Sequence, residues 1–167
     1  MGLGCVVLIA GAASGFVVMG GGTTISGAGV VHLAAPPGPT QARKGYVDVA
    51  LTVVNNDPST ISGTYHFETI PDDHPTVQFK VDFLGSRSCS VVGNVCKITG
   101  LARMVMTWGG SDQTYYGYAQ AKLIDNLQPG SPPGTPNDWN SLRFNGQIGC
   151  PSVSFSGSLS TGDISIE

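Results

Sequence analysis

Hydrophobic and polar residues alternate along most of this chain. Val77, Phe79, Val81 and Phe83 interleave with Gln78, Lys80 and Asp82. Leu142, Phe144 and Ile148 interleave with Arg143, Asn145 and Gln147. Val153, Phe155 and Leu159 interleave with Ser152, Ser154, Ser156 and Ser158. A period of two turns one set of side chains to a core and the other to water, as in a half-buried strand. Further strands are predicted at Thr23–Leu33, Tyr46–Val54, Ile61–Thr69, Val95–Trp108, Thr114–Asp125 and Ile164–Ile166. Turn-forming clusters separate them, at Asn55-Asn56-Asp57-Pro58, Pro71-Asp72-Asp73, Gly109-Gly110-Ser111-Asp112 and Gln128–Asp138. No window of helical length carries a 3.6-residue apolar stripe with capping signals. The predicted fold is all-β, a two-sheet sandwich or a partly closed barrel.

The start of the chain departs from this alternation. Leu3 to Met19 is apolar and glycine-spaced, and the first charged residue is Arg43. We divide the chain into an extended apolar N-terminal arm, 1–22, and a β domain, 23–167. Pro36-Pro37-Gly38-Pro39 cannot continue a helix or a central strand and reads as a loop or short hinge. Three readings of the arm stand side by side. A secretory signal would begin with positive charge, which is missing. A membrane helix needs about 20 apolar residues, and this run is shorter and broken by Gly4, Gly11 and Gly15. Two short strands, Cys5–Ala10 and Phe16–Met19, suit the unbroken apolar character of strands covered on both faces. Such a strand completes the chain's own sheet or fills a groove in a neighbouring copy. In the second case Cys5, Val6, Val7, Leu8 and Ile9, with Phe16, Val17, Val18 and Met19, are the self-assembly residues. A membrane is a partner only if the arm is a signal or an anchor.

Composition narrows the function classes. Charged residues are 11% of the chain, against the usual quarter, and the net charge is -3. No basic cluster is visible along the sequence, so nucleic acid is not an expected partner. An apolar fraction of 41% supports a packed core rather than disorder. The cysteines are Cys5, Cys89, Cys96 and Cys150, which allow three pairings. Residues Cys89 to Cys96 read as a hairpin. A turn centred on Val92-Gly93 would set the two cysteines opposite each other, within bridging reach, and leave Cys5 with Cys150. The alternative is four buried thiols acting as small hydrophobes. A disulfide would imply an oxidising compartment. Zinc-ligand spacing is absent.

One enzyme pattern is present in fragments. Val7-Leu-Ile-Ala-Gly-Ala-Ala-Ser-Gly15 looks like the opening of a short-chain dehydrogenase, with Asn55-Asn56, Ser111 and the Tyr118…Lys122 spacing in support. The pattern fails physically. Val17 stands where the third glycine of the nucleotide loop belongs, and no helix follows to hold a pyrophosphate. On a strand, Tyr118 and Lys122 are about 13 Å apart. His32, His66 and His74 are isolated in sequence, and Asp72-Asp73-His74 reads as a solvated turn. We expect no catalytic residues and no cofactor.

The second half resembles the post-COAP domains of exported bacterial surface proteins. Gly20-Gly21-Gly22-Thr23-Thr24-Ile25 is similar to that family's opening, and Val77–Phe83 with Ile98-Thr99-Gly100-Leu101-Ala102 to its central strands. The clearest part is Tyr118–Asn126, then Pro129-Gly130, then Asp138-Trp139, with a closing Gly157–Ile164 strand. Leu127 stands where a glycine is typical, and Ser131–Pro136 looks like an added loop. The resemblance implies export and a location at the cell surface. Asp125 and Asp138 flank the long loop, and with Asn126 and Asn137 they offer oxygen ligands of the kind Ca²⁺ prefers. The competing account is a turn held by side-chain to backbone bonds.

Two functions follow as expectations. The first is an extracellular structural protein whose arm inserts into a neighbouring copy to build a homopolymeric filament or sheath. The second is a monomeric binding module for polysaccharide or cell wall. Trp108, Tyr115, Tyr116, Tyr118 and Trp139 would supply its stacking surface.

Overall fold

The computed structural model describes residues 22–34, 44–54, 57, 61–70, 77–127, 135, 137–147 and 149–167. The residues assigned to self-assembly, Cys5 to Met19, lie outside the described residues, as do Asp72, Asp73 and His74. Eight strands follow in order: β1 (Thr23–Leu33), β2 (Lys44–Val53), β3 (Ile61–Ile70), β4 (Val77–Val92), β5 (Val95–Trp108), β6 (Ser111–Ile124), β7 (Trp139–Gly146) and β8 (Ser152–Ile166). Each pairs antiparallel with the next, and β8 pairs back onto β1, which closes the barrel. Of the two expected architectures, the barrel is the one formed. No α-helix occurs among the described residues.

Alternation decides which face of each strand turns inward. In β2, Val47, Val49, Leu51 and Val53 are buried, and Lys44, Asp48 and Ala50 are exposed. In β5 the inward set is Cys96, Ile98, Ala102 and Met104, and in β6 it is Ala119, Ala121 and Leu123. Phe155 of β8 meets Phe67 of β3 at 5.1 Å and Phe79 of β4 at 5.5 Å between ring centroids. The core therefore spans the full width of the barrel. Charged side chains such as Lys44, Asp48, Lys97, Arg103 and Arg143 stand on the outer wall, beside exposed Leu101, Tyr116 and Tyr118. A membrane-spanning barrel carries the opposite pattern, an apolar band outside and a polar lumen.

Two devices shape the closure. At the β1–β8 seam, Gly162 has φ +90, and a Cβ there would lie 2.0 Å from the Ala28 carbonyl oxygen. Only glycine fits such a close backbone approach in the left-handed region. That kink lets one strand run from Ser152 to Ile166, where alternation predicted two. The β5–β6 hairpin turns on Gly109 and Gly110, both at positive φ, as a two-residue primed turn requires.

The narrowest seam is β3–β4. Its register covers only His66–Glu68 against Lys80–Asp82. Beyond it, the Thr69 hydroxyl accepts a hydrogen bond from the Phe79 amide at 2.8 Å, in place of a ladder bond. Beyond Phe83 the β4–β5 register shifts before resuming at Arg87. The far half of β4 therefore has β5 as its paired neighbour, while Ile61–Tyr65 of β3 pairs with β2.

Candidate functional site

Antiparallel register lines up outward residues in rows around the wall. One row runs Asp48, His66, Asp82, Arg103, Tyr116 from β2 to β6, each directly opposite the next. His66 Nδ1 lies 2.6 Å from Asp82 Oδ1, and Arg103 Nη2 donates to Asp82 Oδ2 at 2.8 Å. Partial burial of Asp82 pushes its pKa up, but the hydrogen bonds and charges of Arg103 and His66 outweigh this and hold it below the ordinary carboxylate value. Lys80 Nζ lies 3.5 Å from Glu68 in the neighbouring row. These ion pairs flank the Phe67–Val81 pair and clamp the short β3–β4 seam from outside. His66, isolated in sequence, is thus a seam residue.

The same wall presents aromatic rings. Tyr116 and Tyr118 are each 54% exposed and project from one face of β6, about 7 Å apart along the strand. Leu101 and Arg103 of β5 stand directly beside them. The other three expected stacking residues are elsewhere. Trp108 closes β5 beside Ser111 at the hairpin tip, and Trp139 is half-buried opposite Ile124 and Ser158. Tyr115 is half-buried against the core, and its hydroxyl donates to Gln113. Of the five, Tyr116 and Tyr118 are the exposed pair that share one strand face, while Trp108 stands 68% exposed at the hairpin tip.

Next to Tyr118 the outer wall sinks into a shallow depression of about 270 Å³. Lys97 and Thr99 of β5, Gln120 and Lys122 of β6, and Ser141 and Arg143 of β7 line it. Lys97 and Lys122 are directly opposed across β5–β6, and Thr99, Gln120 and Arg143 form the adjacent row. Sequence reasoning missed this cluster because its three cations are 46 positions apart at the extremes (143 − 97). The usable signal was outward parity on three consecutive strands.

The two carboxylates considered for Ca²⁺ are buried at one end of the barrel. Asp138 Oδ1 accepts from the Asn126 and Leu127 amides at 2.8 and 3.0 Å, and Oδ2 from the Ile164 amide at 2.8 Å. Asp125 Oδ2 accepts from the Ile166 amide at 3.0 Å. Both side chains thus tie the segment after β6 to the end of β8. Burial, the charges of Asp138 and Asp125 and a hydrogen bond to the Asp138 side chain all raise the pKa of nearby Asp163. Among the described residues no group of three or more His, Cys, Asp or Glu side chains is arranged to hold a metal ion.

Cys89 and Cys96 are buried, with sulfurs 2.8 Å apart. They are free thiols, as is Cys150, and this distance is longer than the roughly 2.05 Å of a disulfide bond. The turn falls on Gly93-Asn94, one residue later than predicted. Cys89 is therefore opposite Ile98, Cys96 is opposite Val91, and the two cysteines meet diagonally inside the barrel. Cys5 lies outside the described residues.

Tyr118 and Lys122 of the dehydrogenase-like spacing both sit on β6, with no helix N-terminus beside them among the described residues. No family model, curated protein or solved structure matches this chain.

Proposed function

We propose that the chain is an exported, non-catalytic binding module that holds a polysaccharide of the cell surface against the outer wall of β5, β6 and β7. The observation that carries this reading is the exposed pair Tyr116 and Tyr118, side by side on β6. A sugar ring has an apolar C–H face and a rim of hydroxyls. An exposed phenol ring takes the first, and the adjacent Arg103, Gln120 and Asn145 take the second. Neighbouring large exposed side chains on an otherwise polar wall mark an interaction surface. The resemblance to post-COAP domains, which implies export, agrees with this. The test is binding of the full chain to insoluble cell-wall glycan and to a soluble β-glucan. Tyr116→Ala with Tyr118→Ala should abolish retention and leave the thermal transition in place. Unchanged retention by that variant defeats the reading.

A second reading, assembly of copies into a filament or sheath through the apolar arm, is supported by the β3–β4 seam. A closed barrel has no free edge for an incoming strand. The short register between β3 and β4 is where the described wall comes closest to offering one. Electron microscopy and light scattering of the full chain, with and without residues 1–22, separate the two readings. Polymers that persist without the arm rule out strand insertion, and a concentration-independent monomer leaves the binding module alone.

A further inference from the structure

The depression beside Tyr118 breaks a rule of sheet design. Like charges directly opposite on neighbouring strands are destabilising, yet Lys97 and Lys122 form such a pair on β5–β6. Arg143 joins them from β7, and no carboxylate among the described residues lines the depression. The ion pairs of the described residues lie elsewhere, with Lys80 on Glu68 and Arg103 on Asp82. Neither Lys97 nor Lys122 has an ion-pair partner among the described residues, and Arg143 Nε donates to the neutral Asn145 side chain at 3.2 Å. In a chain of net charge -3, three cations gathered without counter-charge point to an anion supplied from outside.

We infer that this depression binds the acidic group of an anionic polysaccharide, whose neighbouring sugar stacks on Tyr118 and Tyr116. The inference rests on the polysaccharide reading and adds its charge class. Thr99, Gln120 and Ser141 surround the cations with neutral hydrogen-bonding groups suited to sugar hydroxyls. Uronate carboxylates and polymer phosphates share the chemistry that these side chains recognise.

The experiment titrates the full chain with polygalacturonate and, separately, with a neutral soluble β-glucan, at low and at high sodium chloride. Polygalacturonate should bind more tightly, and added salt should weaken it selectively. Lys97→Gln, Lys122→Gln and Arg143→Gln together should weaken polygalacturonate about tenfold, the sum of three exposed charge contacts, and leave the glucan unaffected. Lys97→Arg with Lys122→Arg should keep the affinity. Lys122→Glu should raise the melting temperature while weakening polygalacturonate binding severalfold, a split that a purely structural lysine would not produce. Polygalacturonate affinity unchanged in the triple variant overturns the inference. So does equally tight binding of single-stranded DNA of matched charge. A phosphate polymer that binds where polygalacturonate does not assigns the depression to phosphate and removes uronate as its ligand. If the glucan binds through the tyrosines but no anionic polymer is preferred, the charge class falls and the polysaccharide reading stands. If neither polymer binds, both fall.

Discussion

Tyr65 on β3 donates its phenolic hydrogen to Asn140 Oδ1 on β7, at 2.9 Å, through the middle of the barrel. Both residues are buried, and Phe83 packs edge-on against the Tyr65 ring with centroids 5.3 Å apart. The Asn140 Nδ2 has no hydrogen-bond partner among the described residues. Tyr65→Phe leaves the carboxamide oxygen dry and unpaired as well, so it should cost about 1–3 kcal/mol in urea unfolding. Tyr65→Phe combined with Asn140→Leu should recover part of that loss, because the second change removes the stranded amide. Burial raises the Tyr65 pKa well above its ordinary 10.0, more than the Asn140 bond lowers it. The folded state therefore keeps a proton that the unfolded state gives up. Stability from this source is intact below pH 10.0 and declines above it. Alkaline unfolding of the Tyr65→Phe variant should show a weaker dependence on pH in that range.

Asp138 holds three backbone amides from two segments, so it acts as a brace for the β6–β7 connection and the end of β8. Asp138→Ala strands all three donors and should cost about 3 kcal/mol or more. Asp138→Asn keeps one acceptor oxygen but turns an amide group toward one donor, and should fall between the two. Chemical denaturation measures the order. A loss under about 0.5 kcal/mol for the alanine variant would show that water replaces the brace at little cost.

Asp163 responds to pH in the opposite sense to Asp82. Its raised pKa means that the fold favours the neutral acid, so stability is greatest below 3.8 and falls as pH rises through the folded value. Asp163→Asn should therefore raise the melting temperature at neutral pH, with the gain vanishing in acid. Asp82, held below 3.8 by Arg103 and His66, adds stability above 3.8 that disappears as pH falls through its lowered value. Asp82→Asn should lower the melting temperature at neutral pH and have no effect in strong acid.

Strand faces were legible where side chains alternate. Val47, Val49, Leu51 and Val53 carry their burial in their spacing, and β2 follows within two residues of the predicted start. Closure was not legible, because it depends on β1 meeting a strand more than a hundred positions away. No local pattern separates a sandwich from a barrel when both bury the same alternating face. Register decided the rest. His66 finds Asp82 only once β3 and β4 are aligned, and Lys97 faces Lys122 only once β5 and β6 are. Asp138 is the loop residue its sequence suggested, but its bracing role was not legible, because its partner Ile164 is 26 positions away. The cysteine hairpin shows how small the margin is: moving the turn by one residue replaces a direct pair by a diagonal one.

That diagonal still brings the sulfurs into contact. Cys89 lies on the half of β4 that has β5 as its paired neighbour, and Cys96 on the facing stretch of β5, so a covalent link there would staple the two strands beyond the reach of the β3–β4 register. The hydrogen bond from Cys96 lowers the Cys89 pKa despite burial, and the same bond raises that of Cys96. With oxidised glutathione, one thiolate of the pair should displace a glutathione and the other then displace the second, so that both thiol protons and both electrons leave with two reduced glutathiones. After oxidation of the folded chain, alkylation and tryptic digestion, the peptide Ser88–Lys97 should appear unalkylated and lighter by two hydrogens. The oxidised protein should unfold at higher urea, by about 2 kcal/mol given so short a loop. Cys89→Ser and Cys96→Ser should each lose that shift. Full alkylation of both cysteines after oxidation, or a link from either to Cys150, would show that the inward diagonal does not close.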